Sequence, residues 1–305
     1  MLCSVQFRTL NLKAPELLIK QFYNPFTFDI WGLDLELCFI NYQLENFQKI
    51  SNSISKSFQK IIFQCIDKNT ESKETVDKKI KMNVLFRQVA NPTNPKIVAI
   101  AKNYVKHVKE MGGDKPPEEP VIFQKPFSSL MYLPEGKGLF QLPKHNHEIH
   151  HEIELGFMVG KIGKNIQKDK WQEYIGGYFL ALDLTDREMQ AHFKKQGFPW
   201  DLAKGQDNFF PITELIQKEK VNDPNNLQLE LKINEKVVQS DSTSSMYYKI
   251  PDLLAYISQF MTLRPGDLVL TGTPHGVGPI KVKDQLMGTL KQGDQTLASL
   301  NLLVE

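Results

Sequence analysis

The chain has 305 residues, 41% of them hydrophobic and 24% charged, which is enough to bury one large core or two ordinary ones and excludes a small stapled scaffold. Its 37 basic and 35 acidic residues leave a net charge of +2, too little to drive sequence-independent binding to nucleic acid or anionic lipid. No uninterrupted apolar run approaches the roughly 20 residues that a bilayer span needs, so neither a membrane nor a nucleic acid is expected as partner, and a small molecule is.

Composition changes along the chain. Residues 1–81 hold all three cysteines (Cys3, Cys38, Cys65) and eight of the 19 phenylalanines, but a single glycine, Gly32. Residues 82–305 hold 17 of the 18 glycines, all seven histidines, and balanced charge, 26 basic to 26 acidic. Turn residues and reactive side chains therefore share the second segment. Between the two lies the polar run KNTESKETVDKKIK, Lys68 to Lys81, with linker character, followed by Met82, the first methionine after Met1. The chain divides on this reading into an extension, 1–81, and a catalytic unit, 82–305. The extension is either a targeting segment or sequence upstream of a start at Met82. Arg8, Lys13 and Lys20 against the lone acid Glu16 resemble a mitochondrial presequence, a pattern that Asp29, Asp34 and Glu36 interrupt. The compartment is thus the mitochondrial matrix or the cytoplasm. The odd cysteine count without a CxxC supports neither disulfides nor a zinc knuckle and suits a reducing compartment.

In the second segment, Ile97 to Ala101 reads as a buried strand and Asn103 to Met111 as a short helix that places His107 and Glu110 on one face. After a Gly- and Pro-rich connection with the makings of a lid, VIFQKP is a second strand. His150 to Gly160 alternates at period two in its first half, so that His150, Glu152 and Glu154 share one face and Ile153 and Leu155 the other. Tyr178 to Leu184 is an apolar strand closing on Asp183, and TDRE (Thr185 to Glu188) has the spacing of a capping box that opens a helix carrying Arg187 and Gln190. A hairpin is predicted around Glu235, an amphipathic helix over Pro251 to Met261, and a turn, strand and glycine-rich loop over RPGDLVLTGTPHGVGP. Many short strands and few helices indicate an α+β, β-rich fold in one domain.

Four constellations are candidates for chemistry. Glu152, Glu154 and Asp183 are hard oxygen donors without a cysteine nearby, suited to Mg²⁺, Mn²⁺ or Ca²⁺ rather than zinc, although ExE is also commonplace on the solvent face of an edge strand. Asp183 weighs against that bland reading, because an acid ending so apolar a strand is costly unless paired or metal-bound. His107 and Glu110, one turn apart, match either a general-base dyad or an exposed helix pair. His147, Glu148 and His151 spell HExxH, but the period-two pattern that follows opposes the helix a zinc protease requires. Thr271 to Gly278 has the glycines of an anion-binding turn but is neither a Walker loop nor GxGxxG. Lys125, Arg187 and Lys204 are cations able to grip a carboxylate.

Taken in order, AKNYVKHVKEM, VIFQKP, HHEIELGFMVG, GGYFLALDLTDREMQ, GFPWDLAKGQDNFFP, TSSM and GDLVLTGTPHGVGP resemble the fumarylacetoacetate hydrolase family, most closely its acylpyruvase branch, whose members also act on oxaloacetate. The likeness runs from about Ile97 to Glu305 and leaves 1–81 uncovered. It implies a distorted β-roll with a short lid helix, usually a homodimer, with Mg²⁺ or Mn²⁺ on Glu152, Glu154 and Asp183. It also implies water activation by His107 and Glu110, enolate stabilisation by Lys204, and substrate contacts from Arg187, Gln190 and Thr273, beside Lys125. Lys102 stands where the family usually has arginine, which keeps the charge and loses the planar fork. The leading reading is a metal-dependent acylpyruvate hydrolase cleaving the C3–C4 bond of 2,4-dioxo acids. The alternatives are an oxaloacetate decarboxylase or keto–enol tautomerase at the same site, and a non-enzymatic metal or keto-acid binding module.

Overall fold

A computed structural model of the chain describes Met82 and residues 94–305 except Asn146. The chain divides into two units, 1–89 and 90–305, and the sheets and the candidate site belong to the second. The expectations for 1–81, a presequence and a linker, lie outside the described residues.

In chain order the elements are β1 (Ile97–Ala101), α1 (Val105–Glu110), β2 (Val121–Lys125), β3 (Leu130–Tyr132), β4 (Lys137–Phe140), β5 (Ile149–His151), β6 (Ile153–Val159), β7 (Ile175–Leu182) and β8 (Thr185–Asp186). There follow α2 (Arg187–Gln196), α3 (Asp201–Lys204), β9 (Phe210–Ile212), β10 (Gln228–Ile233), β11 (Lys236–Ser242), α4 (Ile250–Phe260), β12 (Leu268–Leu270), β13 (Gly278–Pro279), β14 (Gln285–Gln292) and β15 (Gln295–Val304). They build a seven-stranded mixed sheet, β2-β1-β12-β6-β7-β9-β3, a five-stranded sheet, β11-β10-β14-β15-β4, and a small sheet, β13-β5-β8.

The two large sheets pack face to face, and period two decides what each face meets. From β6 and β7, Ile153, Leu155, Phe157, Leu180 and Leu182 enter the main core with Leu229, Leu286, Leu290, Leu300 and Leu302 of the five-stranded sheet. Phe179 and Ala181 point the other way, to Ile97, Ala99, Phe210 and Leu270. With both faces covered, β6 and β7 read as near-continuous apolar runs, and each fully buried Leu or Ile stabilises the sandwich by about 1.5–3 kcal/mol.

This packing brings the acids to one place. β1 and β12 run parallel, and β12 and β7 each run antiparallel to β6, so the start of β6 lies beside the ends of β1, β12 and β7. Glu152 and Glu154 sit at that start, and Asp183 follows β7, its N–H donating to the Glu152 carbonyl at 2.8 Å.

Three local expectations shift. The first helix is shorter than Asn103 to Met111, because the Asn103 amide donates to the Tyr248 and Thr271 carbonyls (2.9 and 2.8 Å) and accepts from Tyr248 N–H (2.8 Å), which holds this residue outside the helix. The cap of α2 is Asp186 rather than Thr185: the Asp186 carboxylate accepts from Met189 N–H at 2.9 Å, while the Thr185 hydroxyl turns to Glu152 and the Asp183 carbonyl. The alternating segment from His150 is two strands that break at Glu152.

Candidate active site

Glu152, Glu154 and Asp183 are all buried, and a carboxylate oxygen of each lies within 4.8 Å of the others. So much negative charge is tolerable in the interior only with compensation. Three cations supply part of it. The Lys204 ammonium donates to Glu152 (2.9 Å) and Asp183 (2.6 Å), Lys125 donates to Asp183 (2.7 Å), and Arg187 donates to Glu152 (2.7 Å).

The compensation is uneven. Burial alone raises the Glu152 pKa, yet Lys204 and Arg187 outweigh it and hold this carboxyl far below the ordinary range. Glu154 is pushed well up, by burial first and then by the charges of Asp183 and Glu152; its described hydrogen bond comes from Gly272 N–H at 2.7 Å. Lys204 is raised, the attraction of Asp183 and Glu152 exceeding the opposite effect of burial, whereas burial lowers Lys125. Glu154 therefore faces an electrostatic deficit that a further cation would fill. Three clustered carboxylates, with neither sulfur nor imidazole in the group, are donors for a hard divalent ion. The Tyr104 hydroxyl, buried and within electrostatic reach of Glu154, makes no hydrogen bond among the described residues.

Above the acids, α1 brings His107 Nδ1 to 2.9 Å from Glu110 Oε2. The other Glu110 oxygen accepts from Gly276 N–H at 2.9 Å. The glycine-rich loop thus binds anions that belong to the protein itself, Glu154 through Gly272 and Glu110 through Gly276. Both glycines have positive φ, 95° and 94°. A Cβ would lie 2.8 Å from the Asn103 Cβ at Gly272, and 2.0 Å from the Val238 carbonyl at Gly276.

A cleft opens over this arrangement. His107, Glu152, Glu154, Arg187, Gln190, Lys204 and Thr273 line it, so most of the residues singled out in the sequence meet at one surface. Arg187 and Gln190 are joined by a 2.6 Å hydrogen bond. Lys125 lies behind the lining, its ammonium engaged by Asp183 and the Lys204 carbonyl. Thr273 directs its hydroxyl to the Ile153 carbonyl (2.8 Å) and accepts from Gln239 (2.9 Å).

Sequence reasoning missed several contributors. Lys194 joins the lining one and two turns along α2 from Gln190 and Arg187, a spacing that was readable. Lys102, noted in the sequence only as a departure from the family's arginine, lines the cleft too, in a left-handed conformation (φ 57°) unusual for a residue with a side chain. Gln239, fully enclosed, bonds His151, Ile153 N–H, Thr273 and the Pro274 carbonyl; it sits in a polar run, and nothing short of the strand pairing distinguishes it. HExxH does not assemble. His151 is buried against Gln239 on β5, and His147 pairs instead with Asp186, 39 residues away.

Residues 96–303 match the family model described as fumarylacetoacetate (FAA) hydrolase C-terminal. Among curated relatives, the chain is 46% identical over 191 residues to the mitochondrial oxaloacetate tautomerase FAHD1 of Arabidopsis thaliana, covering 63% of this chain and 84% of that protein. It is 45% identical over 189 residues to the mitochondrial oxaloacetate decarboxylase of Dictyostelium discoideum, covering 62% and 85%. Among solved structures, fumarylpyruvate hydrolase from Pseudomonas aeruginosa in complex with Mn²⁺ and pyruvate superposes with a TM-score of 0.64 at 31% identity, covering 69% of this chain and 90% of that one. With the fold, the acid cluster and a family match over more than half its length in agreement, the chain belongs to the fumarylacetoacetate hydrolase family.

Proposed function

We propose that this protein is a divalent-metal-dependent enzyme whose main substrate is oxaloacetate, which it interconverts between keto and enol forms and, at the same site, decarboxylates. The observation that carries this reading is the set of cations around the cleft. Besides Arg187 and Lys204, the lining includes Lys102 and Lys194, and among the described residues neither of these two makes an ion pair. A dicarboxylate has a use for two separate cationic contacts, and an acylpyruvate, with one carboxylate, does not. The names of the Arabidopsis and Dictyostelium relatives favour the same substrate.

Glu152, Glu154 and Asp183 would hold Mg²⁺ or Mn²⁺, which when bound supplies Lewis-acid polarisation of the 2-keto group. The remaining chemistry belongs to side chains. Arg187, with Gln190, takes one substrate carboxylate, and Lys102 and Lys194 take the other. Glu110 accepts from His107 Nδ1–H, which leaves Nε2 as the basic nitrogen. His107 removes a proton from C3, and the electron pair passes to the C2 oxygen as an enolate. The imidazolium, steadied by Glu110, then returns its proton to that oxygen and completes the enol. Lys204, kept protonated between Asp183 and Glu152, presents positive charge to the enolate. If the C3–C4 bond breaks instead, CO₂ leaves and the pyruvate enolate takes a proton at C3.

A second reading, acylpyruvate hydrolysis, is favoured by the dyad itself, since the same His107 could deprotonate a water that attacks C4. The full chain with Mg²⁺, and separately Mn²⁺, is to be assayed in parallel on oxaloacetate, for enol exchange and pyruvate release, and on acetylpyruvate. Oxaloacetate exchange is expected to show the largest kcat/KM. A larger value for acetylpyruvate would transfer the assignment to the hydrolase reading, and no turnover of either would leave a binding module. The mitochondrial names of these relatives support the matrix as the compartment.

A further inference from the structure

We propose that His145, His147 and Asp186 form a second metal site, separate from the acidic cluster, that takes a borderline transition-metal ion, with zinc the best match. One donor atom from each residue lies within 4.8 Å of the other two. Asp186 Oδ2 is 2.9 Å from His147 Nδ1 and 3.5 Å from His145 Nε2. A tetrahedral zinc ion with bonds of about 2.0–2.1 Å sets its donors about 3.3 Å apart, so these two separations already bracket the edge of a zinc polyhedron.

The chemistry of the donors separates the two clusters. Two imidazoles and a carboxylate suit zinc and its neighbours, whereas three carboxylates suit Mg²⁺ or Mn²⁺. Asp186 divides its two oxygens between the helix cap and the histidine side of the group. Oδ1 caps α2 through Met189 N–H, while Oδ2 faces the two ring nitrogens and accepts from the Gln206 amide at 3.2 Å. An ion seated between this oxygen and the two imidazoles would be held by Oδ2 and by the unprotonated ring nitrogens together. His145 also lies 3.0 Å from Gln206 Oε1, a further oxygen beside the group. Entry is open, since the two imidazole side chains are 35% and 37% exposed while Asp186 is enclosed. The ion would pin the segment before β5 to the N-terminus of α2, the helix that carries Arg187, and so steady the site without touching substrate. This gives a role to His145 and His147, two of the four histidines in the HNHEIHHE stretch.

The test uses the full chain in excess Mg²⁺, titrated with Zn²⁺ against a chromophoric chelator, and with Co²⁺ as a spectroscopic substitute. One zinc equivalent is expected to survive the Mg²⁺ excess and to be retained in Glu152→Gln. In the double variant H145A/H147A its affinity should fall at least tenfold, and each single variant should show a partial loss. Bound Co²⁺ should give tetrahedral d–d bands without thiolate charge transfer, which separates this site from the cysteines at Cys3, Cys38 and Cys65. Unchanged zinc binding in the double variant, loss in Glu152→Gln instead, or a thiolate spectrum would overturn the proposal.

Discussion

Two groups of three potential ligands sit at opposite ends of one four-residue stretch, Asp183 to Asp186, and the fold treats them in contrasting ways. The group ending in Asp183 is wholly buried and partly neutralised from within by Lys204, Lys125 and Arg187. The group ending in Asp186 has one enclosed carboxylate and two half-open imidazoles, with no lysine or arginine in contact with that carboxylate among the described residues. Burial makes the first group part of the architecture: its charges are held in register by β6, β7 and α3 whether or not an ion is present, and removing one of them leaves the others uncompensated. Exposure makes the second group an accessory whose loss the fold can absorb.

The contrast is broken most severely by Asp183→Asn. Lys125 loses its carboxylate partner and Lys204 is left with Glu152 alone, and removal of one member of a buried ion pair costs about 3–5 kcal/mol. The substitution also deletes a candidate metal donor, whose Lewis-acid contribution of several kcal/mol corresponds to a loss of about a thousandfold or more in kcat. Thermal unfolding and oxaloacetate turnover measure the two effects. If stability were unaffected, the claim that this cluster is structural as well as chemical would be wrong.

Lys204→Met ranks next. Its ammonium bridges Glu152 and Asp183 and lies 4.9 Å over the Phe123 ring, so the apolar replacement fills the space but leaves two acids short of a counter-charge. Turnover should fall by about a hundred- to a thousandfold, the usual effect of removing one group that stabilises a developing oxyanion. KM should change less than kcat.

How much of this was legible before the structure depends on whether neighbours in sequence determine neighbours in space. Glu152 and Glu154 were readable because period two puts them on one face of a strand. His107 and Glu110 were readable because three residues make one helical turn. Asp183 joined the two glutamates because an acid closing so apolar a strand is costly unless paired or metal-bound, whereas their conjunction with His107, Arg187 and Lys204 was not legible from spacing and entered only through the ordered motifs of a resembling family. Gln239 and the His147–Asp186 pair were invisible, since each depends on strand pairing or on chain crossings tens of residues long. The capping box failed by one residue for a local reason: Asp186, one residue nearer the helix than Thr185, competes successfully for the cap and frees the Thr185 hydroxyl for Glu152.

Gly272→Ala sharpens the idea that the buried group depends on backbone as well as side chains. The new methyl would meet Asn103 at 2.8 Å on a backbone with φ of 95°, which should destabilise the fold by about 1–3 kcal/mol. It should also weaken Mg²⁺ affinity, because the N–H that orients Glu154 moves with it. Lys102→Ala and Lys194→Ala should each raise KM for oxaloacetate by up to about tenfold, equivalent to roughly 1.4 kcal/mol, while leaving KM for acetylpyruvate within twofold. Equal effects on both substrates would remove the argument for a dicarboxylate.

The smallest effect is expected on the open side of the comparison. In H145A/H147A the Asp186 carboxylate keeps its Oδ1 contact to Met189 N–H and its Gln206 contact, so the cap of α2 survives and Arg187 stays aligned with Glu152. Oxaloacetate turnover with Mg²⁺ and no zinc should therefore remain within twofold of the parent, even as the second ion is lost. Addition of zinc should raise the unfolding midpoint of the parent and not of the variant, because only an ion that binds the folded site shifts that equilibrium. A large fall in turnover of the zinc-free variant would mean that the histidines hold the helix carrying Arg187 in place by themselves, and the division between a structural interior cluster and an accessory surface cluster would then fail.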